Sequence, residues 1–166
     1  MLSELVLDAG AFYAGTPFMS SSHSLLYTTS EIIGEVRHIK ASISALEALQ
    51  EAGRLTVRDA DKKYVARVLK AAQNTGDRNA LSTPDISVIS LALQLGHTLV
   101  TDDFSVANLA STLGINVRPA TAGKDIKQAR KWIYYCAGCS RTFSAGGECP
   151  LCGNALRRKY RKIKSA

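Results

Sequence analysis

The chain has 166 residues, 46% of them hydrophobic, and its 21 Lys and Arg against 14 Asp and Glu give a formal net charge of +7. That length holds one domain, or a domain with a small module, and no stretch approaches the roughly 20 apolar residues that span a bilayer. Met1-Leu2-Ser3-Glu4 lacks the basic start of a secretory signal and Asp8 interrupts the apolar run behind it, so a soluble, cytoplasmic protein without a membrane partner is expected.

The charge is unevenly placed. Residues 1–123 carry 10 Lys and Arg against 12 Asp and Glu, whereas residues 124–166 carry 11 against 2. A basic surface concentrated in this way is the footprint of a polyanion, most simply nucleic acid, although a membrane surface would attract it too.

Leu5-Val6-Leu7, between Glu4 and the small residues Ala9-Gly10-Ala11, has the pattern of a short, fully buried strand of a parallel sheet. Asp8 closes it, and in open parallel sheets the carboxyl ends of the strands form the ligand crevice. Ala9–Gly15 is expected as a short helix and the polar, Ser-rich Thr16–Tyr27, with Pro17 and no periodicity, as a loop. Thr28-Thr29-Ser30-Glu31 fits the capping box S/T-x-x-E and opens a helix in which Ile32, Val36 and Ile39 keep helical spacing. A second helix, from about Ala41 to Ala52, ends at Gly53. Leu55–Val57 is a strand, Asp59 the N-cap of a helix over Lys62–Gln73, and Asn74–Asn79 a loop. Thr83-Pro84-Asp85 starts a helix with cap, proline and acid in the favoured order. Its span Asp85–Leu95 is apolar nearly all round and so belongs inside. Strand Thr98–Val100, helix Phe104–Leu113 and strand Ile115–Val117 complete an alternating α/β pattern. Residues 1–118 therefore form a parallel sheet flanked by helices, followed by a linker at 119–131 with Lys124–Trp132 helical, a cysteine module at 132–158 and a basic tail at 159–166.

Acids stand at chosen places along this pattern: Asp8 at a strand end, Glu35 inside an amphipathic helix, Asp85 in a first turn, Asp102 and Asp103 at another strand end. Asp85 has a second account in the helix dipole, and Glu31 is accounted for as a cap. Glu35 lies three residues after Ile32 and four before Ile39, on the edge of the buried stripe, where an unpaired carboxylate is costly. The spacing does not decide which of Asp102 and Asp103 points into the crevice. Gathered carboxylates repel one another and are retained most readily where cations neutralise them. Oxygen-only ligands suit hard ions such as Mg²⁺ or Mn²⁺, which also bind substrate phosphates and activate water for in-line displacement. The candidate catalytic, Mg/Mn-binding residues are Asp8, Glu35, Asp85 and one of Asp102 and Asp103, with no small-molecule cofactor. His23, His38 and His97 show no ligand spacing.

All four cysteines fall in two CxxC pairs, Cys136/Cys139 and Cys149/Cys152. Each pair presents two thiolates from one turn, and two turns complete a closed tetrahedral Zn²⁺ site, structural in kind because no coordination position stays open. Trp132, Tyr134, Tyr135, Arg141 and Phe143 surround it, and six of the eight residues from Arg157 to Lys164 are basic. Such a run is commonly a solvated tail. The neighbouring aromatics favour RNA, since rings stack on unpaired bases while cations bind phosphate. Tyr135 and Phe143 have the alternative of packing against the zinc turns. Arg141, Arg157, Arg158, Lys159, Tyr160, Arg161 and Lys162 are the candidate RNA-binding residues.

The ordered set of strand-Asp8, helix-Glu35, Ser82-Thr83-Pro84-Asp85 opening a buried helix, and Val100-Thr101-Asp102-Asp103-Phe104 resembles a PIN domain over about residues 3–118. PIN domains are metal-dependent ribonucleases built on a parallel sheet. With the cysteine ribbon and the basic end, the chain is similar over nearly its whole length to the Nob family, endonucleases that trim the 3′ end of the small-subunit ribosomal RNA precursor. The stretch Tyr27-Thr28-Thr29-Ser30-Glu31-Ile32-Ile33-Gly34-Glu35-Val36-Arg37 shares in that likeness, and the compact form resembles archaeal members. The resemblance implies an α/β PIN-like sheet plus a small zinc ribbon, and a single cut in precursor rRNA on the assembling small subunit. It places Mn²⁺ or Mg²⁺ at Asp8, Glu35, Asp85 and one of Asp102 and Asp103. Two other classes stay open: a toxin-like PIN ribonuclease acting on transfer or messenger RNA, and a non-catalytic RNA-binding assembly factor whose acids are structural.

Overall fold

In a strand, three apolar residues in a row can all be buried only where both faces of the sheet are covered. Leu5, Val6 and Leu7 are at most 4% exposed, and β1 (Glu4–Leu7) is the middle strand of its sheet. The computed structural model describes residues 3–19, 24–37, 43–75, 80–121, 130–143 and 146–162. In it β1 pairs in parallel with β2 (Leu25–Thr28) on one side and with β4 (Thr98–Val100) on the other. β3 (Leu55–Val57) adds beyond β2 and β5 (Val117–Arg118) beyond β4, giving the all-parallel order β3-β2-β1-β4-β5. The order reverses at β1, so the crevice outside the carboxyl ends of β1 and β4 is the switch point at which open α/β sheets bind ligands.

The connecting helices are α1 (Ala9–Tyr13), α2 (Thr16–Met19), α3 (Ser30–Val36), α4 (Ile43–Glu51), α5 (Lys62–Thr75), α6 (Thr83–Leu95) and α7 (Phe104–Thr112). α6 lies against β1 and β4 and also packs on α3, α5 and α7. That central place explains its composition: Ile86, Val88, Ile89, Leu91 and Ala92 are all buried, and the buried Ser90 hydroxyl donates to the Ile86 carbonyl at 2.6 Å. Each large side chain among them contributes roughly 1.5–3 kcal/mol by leaving water. Among the described residues no helix is long and apolar enough to cross a membrane.

A second, antiparallel sheet comprises β6 (Arg130–Cys136), β7 (Thr142–Phe143) and β8 (Leu156–Lys162), in the order β7-β6-β8. β6 and β8 pair over seven residues, from Arg130 opposite Lys162 to Cys136 opposite Leu156.

Several elements differ from the sequence expectation. The predicted loop 16–27 contains α2 and most of β2. Four residues are too few to display a period, and Leu25–Thr28 becomes a strand because β1 and β3 pair with its two edges. The cap of α3 is Thr29, whose hydroxyl accepts from the Ile32 N–H at 3.3 Å, not Thr28. Thr28 donates instead to the Leu7 carbonyl at 2.9 Å, locking β2 to the end of β1. Asp59 does not cap α5; its carboxylate accepts from the Ser30 N–H and hydroxyl at the start of α3, at 2.9 and 2.7 Å. Asn74 and Thr75 continue α5 instead of beginning a loop, and β5 lies two residues later at its start than predicted. Residues 130–132 are strand and not helix, and Lys159–Lys162 are strand and not tail, because each finds a partner across the β6–β8 ladder. Ile39, Ala41, His23, His38, positions 76–79 of the expected loop, 122–129 of the expected linker and 163–166 of the expected tail lie outside the described residues.

Candidate active site and metal centre

Asp8 follows β1 directly, and its N–H donates to the Val100 carbonyl at 3.2 Å, so its backbone is fixed at the β1–β4 edge. The side chain is 5% exposed. One carboxylate oxygen caps α1 by accepting from the Ala9 N–H at 2.7 Å, and the other accepts from the Thr101 hydroxyl at 2.6 Å. Burial pushes the Asp8 carboxyl above its ordinary value; the Thr101 and Ala9 hydrogen bonds pull it down, and the charges of Asp85 and Asp103 push it up further. Three of the acids singled out from the sequence are thus electrostatically coupled at one end of the sheet.

Asp85 is half-buried in the first turn of α6 and completes a capping box. Its carboxylate accepts from the Ser82 N–H at 2.7 Å and hydroxyl at 2.8 Å, while the Asp85 N–H donates back to Ser82 Oγ at 3.3 Å. Asp103 is the N-cap of α7, accepting from the N–H groups of Ser105 and Val106 at 2.6 and 3.0 Å. The Asp103 N–H donates to Thr101 Oγ1 at 3.0 Å. Thr101, fully buried, therefore joins Asp103 to Asp8 through a single hydroxyl.

Asp102 is turned elsewhere. Its carboxylate accepts from the Ala120 N–H at 3.0 Å, the Thr121 N–H at 3.2 Å and the Thr121 hydroxyl at 2.6 Å, which ties down the segment after β5. The hydrogen bonds separate two neighbours that spacing alone leaves equivalent.

Glu35 departs from expectation in one respect: it is exposed on α3, so the desolvation cost inferred from its spacing does not operate. The buried stripe is carried by Ile32, Ile33 and Val36, and Glu35 falls on the far side. With Ser30, Glu31, Gly34 and Pro84 it lines an open cleft of about 430 Å³ between the start of α3 and the start of α6. A pair of hydroxyls fastens those two helix starts: Thr29 Oγ1 and Ser87 Oγ lie 2.7 Å apart, and Ser87 donates to the Pro84 carbonyl at 2.7 Å. Thr29, Ser87 and Thr101 carry no mark in the sequence that distinguishes them from other hydroxyls, since their partners are remote in the chain. Only the position of Thr101, two before Asp103, hints at its use.

The four acids are not closed into a cage. Among the described residues the one group of three or more potential ligand side chains within common reach is Cys136, Cys139, Cys149 and Cys152. Asp85 and Asp103 rest in their own helix caps, which offset like-charge repulsion by giving each carboxylate N–H donors. As donors the acids are all carboxylate oxygens beside the buried Asp8, which suits a hard divalent cation.

The cysteine sulfurs lie within 4.8 Å of one another, with Cys136 and Cys152 at 3.2 Å and Cys139 and Cys149 at 3.6 Å. Tetrahedral zinc–thiolate geometry asks for sulfurs about 3.8 Å apart, so the set fits. The two turns repeat one hydrogen-bond pattern. Ser140 N–H donates to the Cys136 carbonyl as Gly153 N–H does to Cys149, and the N–H of Cys136 and Cys149 donate to the carbonyls of Arg141 and Asn154. Each turn ends in a left-handed residue, Ser140 at φ 59° and Gly153 at φ 72°. Gly138 approaches the second turn closely: a Cβ there would meet the Asn154 amide nitrogen and displace it from its contact with the Cys152 sulfur at 3.6 Å. The Cys139 N–H and the Cys152 thiol hold Cys136 down at about 6. Against the pull of the Asn154 N–H, the neighbouring Cys136 and Cys149 push Cys152 up to about 11. Thiols give up their protons when they bind a metal, and four of them at this spacing suit a thiophilic ion. Of the candidate RNA-binding residues, Arg141, Arg157 and Lys159 are exposed, and Lys159 Nζ sits 4.7 Å from the centre of the Tyr135 ring. Arg158, Tyr160, Arg161 and Lys162 stand in β8, and their side chains lie outside the described set.

A parallel sheet in this order, with acids meeting at the carboxyl ends of its central strands, defines a PIN-domain nuclease, and the family model "PIN domain of ribonuclease" matches residues 5–95. PIN nucleases use divalent metals. The chain is 34% identical to "Endoribonuclease Nob1" of Pyrococcus abyssi over 98% of its own length and 97% of that protein. It is 36% identical to "Ribonuclease VapC1" of Thermoplasma acidophilum over 82% of itself and 69% of that protein. A more distant relative, "20S-pre-rRNA D-site endonuclease nob1" of Schizosaccharomyces pombe, is 24% identical over 78% of this chain and 33% of its own length. The chain belongs to the Nob1 endoribonucleases.

Proposed function

We propose that this endoribonuclease cuts precursor small-subunit rRNA near its 3′ end during ribosome maturation in the cytoplasm, with the assembling small subunit as its working partner. The observation that carries the reading is Asp8 at the β1–β4 switch point, its carboxyl raised by burial and further by the charges of Asp85 and Asp103. Asp8, Glu35, Asp85 and Asp103 are the proposed ligands of Mg²⁺ or Mn²⁺. When bound, the metal supplies an activated water and neutralises charge at the scissile phosphate. The chain's own residues prepare that site. The Ala9 N–H and Thr101 hydroxyl keep the Asp8 carboxylate in one orientation, Ser82 and the start of α7 hold Asp85 and Asp103 at its rim, and the exposed Glu35 faces the open cleft. Cys136, Cys139, Cys149 and Cys152 are proposed to hold one structural Zn²⁺. Arg141, Arg157, Arg158, Lys159, Tyr160, Arg161 and Lys162 are proposed to bind RNA, which supports a division of labour: the basic sheet holds, the acids cut.

The test is a Mn²⁺-dependent cleavage assay on a precursor-rRNA fragment, run with wild type and Asp8→Asn. Loss of cleavage by more than about a hundredfold with RNA binding within twofold is expected; equal loss of both would contradict the division of labour. The similarity to a VapC ribonuclease favours a second reading, cleavage of transfer or messenger RNA, and those RNAs belong in the same assay. Against it stands coverage: the Nob1 match takes in the cysteine sheet and the VapC1 protein is matched over less of this chain.

A further inference from the structure

We propose that Asp102 is a positioning residue that fastens the connection between the two sheets to the active-site edge; this rests on the reading that the basic sheet holds the RNA that the acids cut. Its half-buried carboxylate takes three hydrogen bonds from two consecutive residues, Ala120 and Thr121. Those residues stand directly before the stretch 122–129 that leads into β6. On either side of Asp102 in the chain are Thr101, bound to Asp8, and Asp103, which raises it. The point at which the chain departs for the basic sheet is therefore fixed one residue from the proposed metal ligands. A carboxylate so fully used by amide and hydroxyl donors is a clamp, whereas its neighbour Asp103 is the acid felt by Asp8.

Without the clamp, the last fixed point of the chain ahead of β6 moves back from Thr121 to Arg118, the end of β5. The RNA-holding sheet is then anchored less closely to the acids, and the local concentration of RNA there falls.

Steady-state kinetics with Mn²⁺ on a long precursor-rRNA fragment and on a short oligonucleotide spanning only the scissile region test the clamp. For Asp102→Ala and Thr121→Val, KM on the long RNA should rise about two- to threefold at unchanged kcat, with the oligonucleotide kinetics at wild type. Asp102→Asn should behave as wild type on both, because the amide oxygen still accepts from both N–H groups and the amide nitrogen donates to the Thr121 hydroxyl. Hydrogen exchange of the Ala120 and Thr121 amides should quicken in Asp102→Ala and stay unchanged in Asp102→Asn. Loss of cleavage in Asp102→Asn as deep as in Asp8→Asn would make Asp102 a metal ligand and overturn the proposal, as would an unchanged KM and exchange rate in Asp102→Ala. Should the wild type cut neither RNA, the endoribonuclease reading fails on its own, and the exchange comparison decides for or against the clamp.

Discussion

Asp8 is the residue at which folding and the proposed function pull in opposite directions. A carboxylate in an almost inaccessible position, with two further carboxylates acting on it, costs free energy that its two hydrogen bonds offset only in part. Since its folded pKa is raised, ionised Asp8 subtracts from stability at neutral pH, and the penalty is relieved as pH falls through that pKa. Asp8→Asn removes the charge and keeps an acceptor for the Ala9 N–H. It is expected to raise the thermal unfolding midpoint at pH 7 without divalent ions, by about 2–4 °C for each kcal/mol relieved. The gap to wild type should close as pH falls towards the ordinary carboxylate range, about pH 4. Added Mn²⁺ should stabilise the wild type and leave the variant where it was. A variant melting below wild type at pH 7 would mean that the Thr101 and Ala9 bonds outweigh burial and repulsion.

At the scale of elements, helix starts decide the geometry of the acid edge. Asp8, Thr29, Ser82 and Asp103 cap α1, α3, α6 and α7, so the polar residues that satisfy backbone N–H groups are also those that line or adjoin the crevice. Ser82→Ala removes the hydroxyl that both accepts from and donates to Asp85. Loss of about 1 kcal/mol, within the range of 0.5–2 for such caps, is expected in denaturant unfolding; an unchanged midpoint would show that the Ser82 N–H bond to Asp85 suffices. Much of this was legible beforehand. α6 announced itself through a proline, an acid and an unbroken apolar span, all local signals, although its cap is Ser82 and not the expected Thr83, which is the first residue of the helix. β2 was not, because a four-residue strand is defined by the two neighbours that pair with it. Nor was β8: a run of Arg and Lys has the composition of a solvated tail, and only the register against β6 makes it a strand.

In the whole molecule, basic charge and candidate metal ligands are split between two sheets with different sources of stability. The parallel sheet has an apolar core of its own. The cysteine sheet is small, and for such modules bound zinc contributes on the order of 10 kcal/mol to folding. Chelation should therefore alter the fluorescence of the single tryptophan, Trp132, while leaving most of the helical circular dichroism intact; cooperative loss of both signals would mean that the sheets fold as one. Neutralising Arg157, Lys159 and Arg161 should weaken RNA binding and reduce its salt dependence, by about 0.7 in the log–log slope for each phosphate no longer neutralised. A slope that did not move would remove β8 from the RNA interface.

The sequence by itself determined the alternating α/β order apart from β2, the strand ending in Asp8, the cysteine pairs and the basic C-terminal quarter, because each is a matter of local composition, spacing or period. Tertiary structure alone decided that Asp103 acts on Asp8 while Asp102 accepts from Ala120 and Thr121, that Thr101 links Asp103 to Asp8, that Glu35 is exposed, and that Asp59 serves α3 instead of α5. The physical reason is the same in each case: a polar side chain takes whichever donor or acceptor the fold brings within about 3 Å, and those partners lie up to 93 positions away in the chain.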